Sequence, residues 1–267
     1  SMWIVSVFTF WQTVGNNRVH GKGPIVPIHT SWRWGVSMAE VSRVQVMAHR
    51  GASRAEQENT LAAFRRAGEM GAHAVELDVR RSSDGVLVVH HNPHLTDGRL
   101  VAATAHAQLP TSVPTLGEAL DACAGMWVNV EIKNDPEEPD FDATESIADE
   151  TLAHLLARNE DDRWLVSCFR METVDRCRAL APQIKTAWLC VQAPEGIAAT
   201  LVKKGHLAVH PWVKTLTRDT IDACHAAGVQ VNTWTCDDPA RMAELIEWGI
   251  DGICTNEPDV ALGMLGR

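Results

Sequence analysis

The sequence predicts a (β/α)8 barrel, and three observations carry that expectation. From Val44 onward, short apolar runs rich in β-branched residues alternate with amphipathic stretches of helical period. Eight of each fit into about 220 residues, close to the ~250 usual for such a barrel. No G-x-G-x-x-G follows the first run, which disfavours the nearest rival, an open doubly wound sheet.

The predicted strands are 44–49 (VQVMAH), 74–79 (AVELDV), 127–133 (WVNVEIK), 164–169 (WLVSCF), 185–191 (KTAWLCV), 206–212 (HLAVHPW), 229–235 (VQVNTWT) and 251–255 (DGICT). Helices are expected near 60–70, 115–124, 142–158, 171–180, 194–204, 217–227, 239–248 and 258–265. Asn59 is placed to cap the first helix, and Gly71 follows its end. Asp238-Pro239 opens the seventh with proline at the first helical position, and Gly249 closes it. One interval breaks the rhythm. Residues 80–114 hold an extra apolar run, VLVVHH, so 84–91 reads as a hairpin or extension with Asp84-Gly85 as its turn. This short insertion after the second strand should rise over the barrel mouth.

A chain of 267 residues that is 45% hydrophobic and 22% charged supports a substantial core. Its net charge of −10 argues against a nucleic-acid partner, because counterion release needs clustered Lys and Arg. Any anionic ligand must be met by local cations or a metal. The 7 Cys are scattered, odd in number and free of C-x-x-C, which points to a reduced, cytoplasmic protein. Nothing in the sequence fixes an oligomeric state.

Two domains of unequal character are expected, an extension over 1–43 and the barrel over 44–267. The extension carries Trp3, Trp11, Trp32 and Trp34 but one acidic residue, Glu40, and is expected to be poorly ordered or to include a non-native start. Ser1 before Met2 resembles a tag-cleavage remnant, and Met38 is an alternative start. The apolar opening ends at Gln12, short of the ~20 residues a bilayer needs, and no basic region precedes it. The competing reading is a membrane-touching or dimer-forming segment. Membrane contact is expected through this segment alone.

In a barrel of this kind, catalytic groups sit at the C-terminal ends of strands. The first run ends in His49-Arg50, a titratable imidazole beside a planar fork of donors suited to phosphate. The second ends in Glu76-Leu77-Asp78, whose two-residue spacing turns both carboxylates to one face. Two such acids repel unless a cation lies between them. Glu131-Ile132-Lys133 repeats the spacing and adds a third acid and a second cation. Three hard oxygen ligands without a neighbouring His or Cys suit Mg²⁺ or Ca²⁺ better than Zn²⁺, with Mn²⁺ a third candidate. The extra run ends in His90-His91, and alternation does not say which ring faces inward. Phe169 and Trp234 stand at the tips of two more strands, where they would rim the mouth.

From about Val46 to Leu262 the chain resembles the glycerophosphodiester phosphodiesterases. AHRGAS…EN in 48–59, AVELDVRRSSDGVLVVHHNPHL in 74–95, VEIK in 130–133, SCF in 167–169, WT at 234–235 and GIDGICTNEPD in 249–259 fall in family order. The resemblance implies metal-dependent hydrolysis of a small glycerophosphodiester to glycerol 3-phosphate and an alcohol. It implies His49 and His91 as the catalytic pair, which settles the choice alternation leaves open. It further implies Glu76, Asp78 and Glu131 as metal ligands, Arg50 and Lys133 as phosphate contacts, Glu58 as a substrate-side acid, and Phe169 and Trp234 as apolar contacts to glycerol. The attacking oxygen would be water or the adjacent glycerol hydroxyl, the latter through a cyclic phosphate. Asn92, where the family usually has Asp, His94, where Thr is common, and His210, in place of Asn, depart from the pattern near the mouth. Two rival readings remain: a lysophospholipase D-like enzyme on lipid substrates, and an inactive binding barrel.

Overall fold

The computed structural model describes residues 44–266. The segment 1–43, with the expectations made for it, and Arg267 lie outside the described residues. Strands β1 (Gln45–His49), β2 (Ala74–Arg81), β4 (Trp127–Ile132), β5 (Trp164–Cys168), β6 (Lys185–Cys190), β7 (Ala208–Pro211), β8 (Gln230–Thr233) and β9 (Gly252–Thr255) pair in parallel around a ring. β1 bonds to both β9 and β2, which closes the cylinder. The inserted β3 (Leu87–Val89) runs antiparallel to the end of β2. Helices α1 (Leu61–Met70), α2 (Leu116–Ala122), α3 (Ser146–Leu156), α4 (Met171–Leu180), α5 (Ile197–Lys204), α6 (Arg218–Ala226) and α7 (Pro239–Glu247) intervene between strands, and α8 (Pro258–Met264) follows the last. The predicted (β/α)8 barrel is the observed fold.

The alternation of each strand sorts its residues into two cores. One parity, including Val46, Val75, Leu77, Val128, Val130, Val166, Val209 and Val231, packs outward against the helices. The other turns inward, where Met47, Ala74 and Cys254 pack with Trp127 and Trp234. Continued along the strands, that inward parity holds His49, Glu76, Asn129, Glu131, His210 and Asn232, so the apolar floor gives way to polar groups toward the mouth.

Several predicted boundaries shift, for identifiable reasons. Lys133, Phe169, Trp234 and Thr235 lie just beyond their strands, where the regular ladders give way to single contacts such as the Lys133 N–H to the Val79 carbonyl at 3.1 Å and the Trp212–Trp234 bridge. The third helix begins at Ser146 rather than 142, because Asp142 turns back to accept from the Ser146 hydroxyl at 2.6 Å and the Ile147 N–H at 3.0 Å. Asn59 does not cap α1. Thr60 does, accepting from the Ala63 N–H at 3.2 Å, and Asn59 is left with φ 56° and a different task. The hairpin turn forms where expected, with Gly85 at φ 83°, although its second strand is only three residues long. Asp238 and Pro239 open α7 as predicted.

The turn after β1 explains the residues that follow His49. Arg50 adopts φ 58° and Gly51 φ 83°, a left-handed pair that reverses the chain at the mouth. A Cβ on Gly51 would lie 2.6 Å from the Ala63 backbone, so this tight approach of loop to helix requires glycine.

Candidate active site

The C-terminal mouth of the barrel is a cavity lined by His49, Arg50, Glu76, His91, Glu131 and Lys133 on one side and by Phe169, Leu189, His210 and Trp234 on the other. Ligand oxygens of Glu76, Asp78 and Glu131 all lie within 4.8 Å of one another, on acids that are 4%, 1% and 8% exposed. No other group of three His, Cys, Asp or Glu among the described residues converges in this way. The neighbouring strands bring it about: Asp78 is directly opposite Glu131 in the β2–β4 register.

The charges in this cluster are unequal. Burial raises the Asp78 pKa, but Lys133 and Arg50 outweigh it and hold the carboxyl well below the usual range. Burial, with Asp78 and Glu131 beside it, pushes Glu76 well above its ordinary value. Glu131 is also raised, by burial and against the pull of Lys133. Burial works against the Lys133 ammonium, yet Glu131 and Asp78 raise its pKa on balance. Its Nζ donates to Glu131 Oε1 at 2.6 Å and lies 3.3 Å from Asp78 Oδ1. Glu76 Oε1, Asp78 Oδ1 and the neighbouring Asn129 Oδ1 are buried without a hydrogen-bond partner. Crowded, orphaned hard oxygens of this kind fit a divalent cation.

Arg50 is tied down from three sides. Its N–H donates to Glu76 Oε2 at 2.9 Å, its Nη1 donates to both Glu58 oxygens at 2.9 and 3.0 Å, and its Nε lies 3.4 Å from Asp78. Asn59 completes the clip, giving its N–H to the Arg50 carbonyl and its Nδ2 to Asp78 Oδ2 at 2.7 Å. Glu58 is not among the residues lining the cavity, and its carboxylate pairs with the Arg50 guanidinium.

Each imidazole is held in one tautomer. Asn256 Nδ2 donates to Asp237 Oδ2 at 2.6 Å, so its Oδ1 faces His49 and accepts from Nδ1–H at 2.8 Å. The His49 Nε2 then carries the lone pair, with the Thr235 hydroxyl as a long hydrogen-bond partner at 3.5 Å. His91 Nδ1 meets Asn92 Oδ1 at 2.8 Å, which again leaves Nε2 unprotonated. Burial, then the Arg50 charge, lowers the His49 pKa, and burial brings that of His91 down to about 4. Both rings are neutral at neutral pH. His90 turns aside to the Asn92 carbonyl at 2.7 Å.

Phe169 and Trp234 meet edge to face with centroids 5.3 Å apart, and Trp234 Nε1 donates to the His210 carbonyl. His210 is fully buried, accepts at Nε2 from Asn232 at 2.9 Å, and is lowered by burial to about 3. A neutral buried histidine stabilises the fold fully above its unfolded pKa near 6.5, and that stability is lost as pH falls toward about 3. Replacing His210 with Gln is expected to flatten the acid limb. Below pH 6.5 the wild-type folding constant should fall about tenfold more per pH unit than that of the variant, read from urea midpoints at pH 7, 5.5 and 4.5.

Sequence reading had not singled out Asn129, Asn232 or Asn256. Asn129 and Asn232 share the inward parity of Glu131 and Trp234, two positions away, whereas Asn256 follows a strand on which no candidate was expected.

A parallel barrel whose mouth joins buried acids, paired cations and two neutral imidazoles defines an enzyme of the phosphoric diester hydrolase class. The model of the glycerophosphoryl diester phosphodiesterase family matches residues 49–260, and the chain belongs to that family. A glycerophosphodiester phosphodiesterase of Caldanaerobacter subterraneus subsp. tengcongensis is 28% identical over 249 residues, covering 83% of this chain and 98% of that one. Among solved structures, an Oleispira antarctica phosphodiesterase in complex with its product sn-glycerol-3-phosphate is 26% identical with a TM-score of 0.74, over 84% of this chain and 97% of that one. A Thermotoga maritima glycerophosphodiester phosphodiesterase gives 26% and 0.70, over 84% and 99%.

Proposed function

We propose that this chain hydrolyses small glycerophosphodiesters to glycerol 3-phosphate and an alcohol, using one divalent cation and two histidines. The observation that carries the reading is the convergence of the buried Glu76, Asp78 and Glu131 carboxylates, with Glu76 Oε1 and Asp78 Oδ1 lacking a hydrogen-bond partner, flanked by Arg50, Lys133 and two neutral rings. Those three acids would hold Mg²⁺, Ca²⁺ or Mn²⁺, which when bound supplies Lewis acidity toward a phosphate oxygen. Arg50 and Lys133 spread the remaining charge as phosphorus becomes five-coordinate. One imidazole takes the proton of the attacking oxygen at Nε2 as the new P–O bond forms. The other protonates the departing alcohol as the old bond breaks, its imidazolium favoured once an anionic diester lies beside it. Phe169 and Trp234 offer apolar contact to glycerol, and Glu58 acts through Arg50. The seven buried free thiols suit a reducing, cytoplasmic setting. Among the described residues, no helix is long and apolar enough to cross a membrane.

A second reading has its own observation. Phe169 and Val191 are 36% and 55% exposed just beyond β5 and β6, and Phe169 packs edge to face on Trp234, apolar surface on which a lipid tail can lie. Turnover of glycerophosphocholine and lysophosphatidylcholine, each with Mg²⁺, Ca²⁺ or Mn²⁺ and with EDTA, separates the two. We expect divalent-dependent release of choline from glycerophosphocholine. Preference for the lysolipid would favour the second reading, and silence on both substrates would leave a binding barrel.

A further inference from the structure

The catalytic reading of His91 leaves a mechanical question, because this residue sits on no barrel strand. The β2–β3 ladder ends at Val79 with Val89, His90 adds one bond to the Asp78 carbonyl at 3.0 Å, and the chain then bends away. The His91 ring hydrogen-bonds its own neighbour Asn92, which ties it to the same bend and not to the barrel.

What reaches His91 from the barrel is Arg80. Its Nε and Nη2 both donate to the His91 carbonyl, at 2.8 and 2.5 Å. Its Nη1 donates to Asp140 Oδ2 at 2.6 Å, and its Nη2 meets the Glu138 carboxylate at 2.8 and 3.0 Å. The side chain is 0% exposed. Arg80 follows Glu76 and Asp78 at the same two-residue spacing on β2, so the strand that supplies two of the clustered acids also supplies this clamp. Glu138 and Asp140 belong to the segment that follows Glu131 and Lys133.

We propose that Arg80 is a positioning residue for His91: the guanidinium pins the main chain of the inserted bend to β2 and to the segment after β4, and so fixes where the imidazole stands relative to the acid cluster. The proposal rests on His91 being catalytic. A planar guanidinium can serve a carbonyl and two carboxylates at once, whereas the three donors of a lysine radiate from one point and cannot span them. Stability is a weak explanation for the arrangement, since a buried ion cluster is often no more stable than apolar residues of the same volume. Placement is a strong one, since misplacing a reacting group by ~1 Å costs on the order of 100-fold in rate.

The test is a kinetic double-mutant cycle with glycerophosphocholine and Mg²⁺, using Arg80→Lys, His91→Ala and the double variant, with melting temperatures alongside. Arg80→Lys is expected to lower kcat by ~10–100-fold while KM stays within about twofold. In the His91→Ala background the same change should alter kcat by less than about twofold, because the group it positions is gone. An equal loss in both backgrounds, or full kcat in folded Arg80→Lys, overturns the proposal. If Arg80→Lys fails to fold, Glu138→Gln at the partly exposed end of the clamp runs the same cycle, with a smaller loss that must likewise vanish without His91. Wild-type kcat in His91→Ala itself would instead sink the catalytic reading of that histidine, which keeps the two failures apart.

Discussion

Alanine at His49 or at His91 is expected to lower kcat by ~10²–10⁴, the range for a positioned acid–base group, while circular dichroism and the melting temperature stay near wild type. The fold is expected to tolerate either loss. Neither ring belongs to the apolar floor of the barrel, and Asn256 keeps its bonds to Ser53 and Asp237 when His49 is removed. The two variants should also be non-additive, since proton removal and proton delivery belong to one displacement. Turnover within about twofold of wild type in a folded variant would remove that residue from the mechanism. A related check separates orientation from chemistry at His49. Asn256→Leu keeps the ring and removes the acceptor that fixes its tautomer, so kcat should fall with little change in KM.

The second large effect concerns Glu76. Glutamine there is nearly isosteric and its carbonyl can still accept from the Arg50 N–H, the bond that Glu76 Oε2 makes at 2.9 Å. Without added cation, the substitution removes a buried carboxylate crowded by Asp78 and Glu131, so metal-free Glu76→Gln should melt above metal-free wild type. With cation the order reverses. Wild type gains ~2.7 kcal/mol of stability at a ligand concentration of about 100 Kd, and the variant gains far less. Activity should drop by ~10²–10³, because a bound Lewis acid is worth several kcal/mol at the transition state. Differential scanning calorimetry across a Mg²⁺, Ca²⁺ and Mn²⁺ series, with EDTA as the zero point, reads the two stability statements, and turnover of glycerophosphocholine reads the third. Equal cation-induced shifts in both proteins would show that the ion sits elsewhere.

Much of this site is written in local spacing. The i, i+2 pairs Glu76/Asp78 and Glu131/Lys133 need only the period of a strand to be placed on one face, and the strand ends need only the apolar runs that precede them. Runs of that kind, each followed by an amphipathic stretch, also determine the barrel, because parallel strands need crossover helices and eight such units close on themselves. Even the unrecognised Asn129, Asn232 and Arg80 obey the same parity as residues that stood out. Residue type alone does not mark them, because an amide or a guanidinium near a strand end has ordinary structural uses.

What spacing leaves open is set by closure. The pairing of β1 with β9 carries Asn256 to His49 across 207 positions of sequence, and Asp237 then orients that amide. The choice between His90 and His91 depends on how a three-residue strand ends, and the roles of Glu58 and Asn59 depend on a left-handed turn at Arg50. The sequence alone determined the fold, the three acids and Lys133, because each follows from a period of two or 3.6 residues along one stretch of chain. The tertiary structure alone decided which nitrogen of His49 faces the cavity and what pins the His91 bend, because the Asn256 and Arg80 contacts join segments that meet only when the chain has folded.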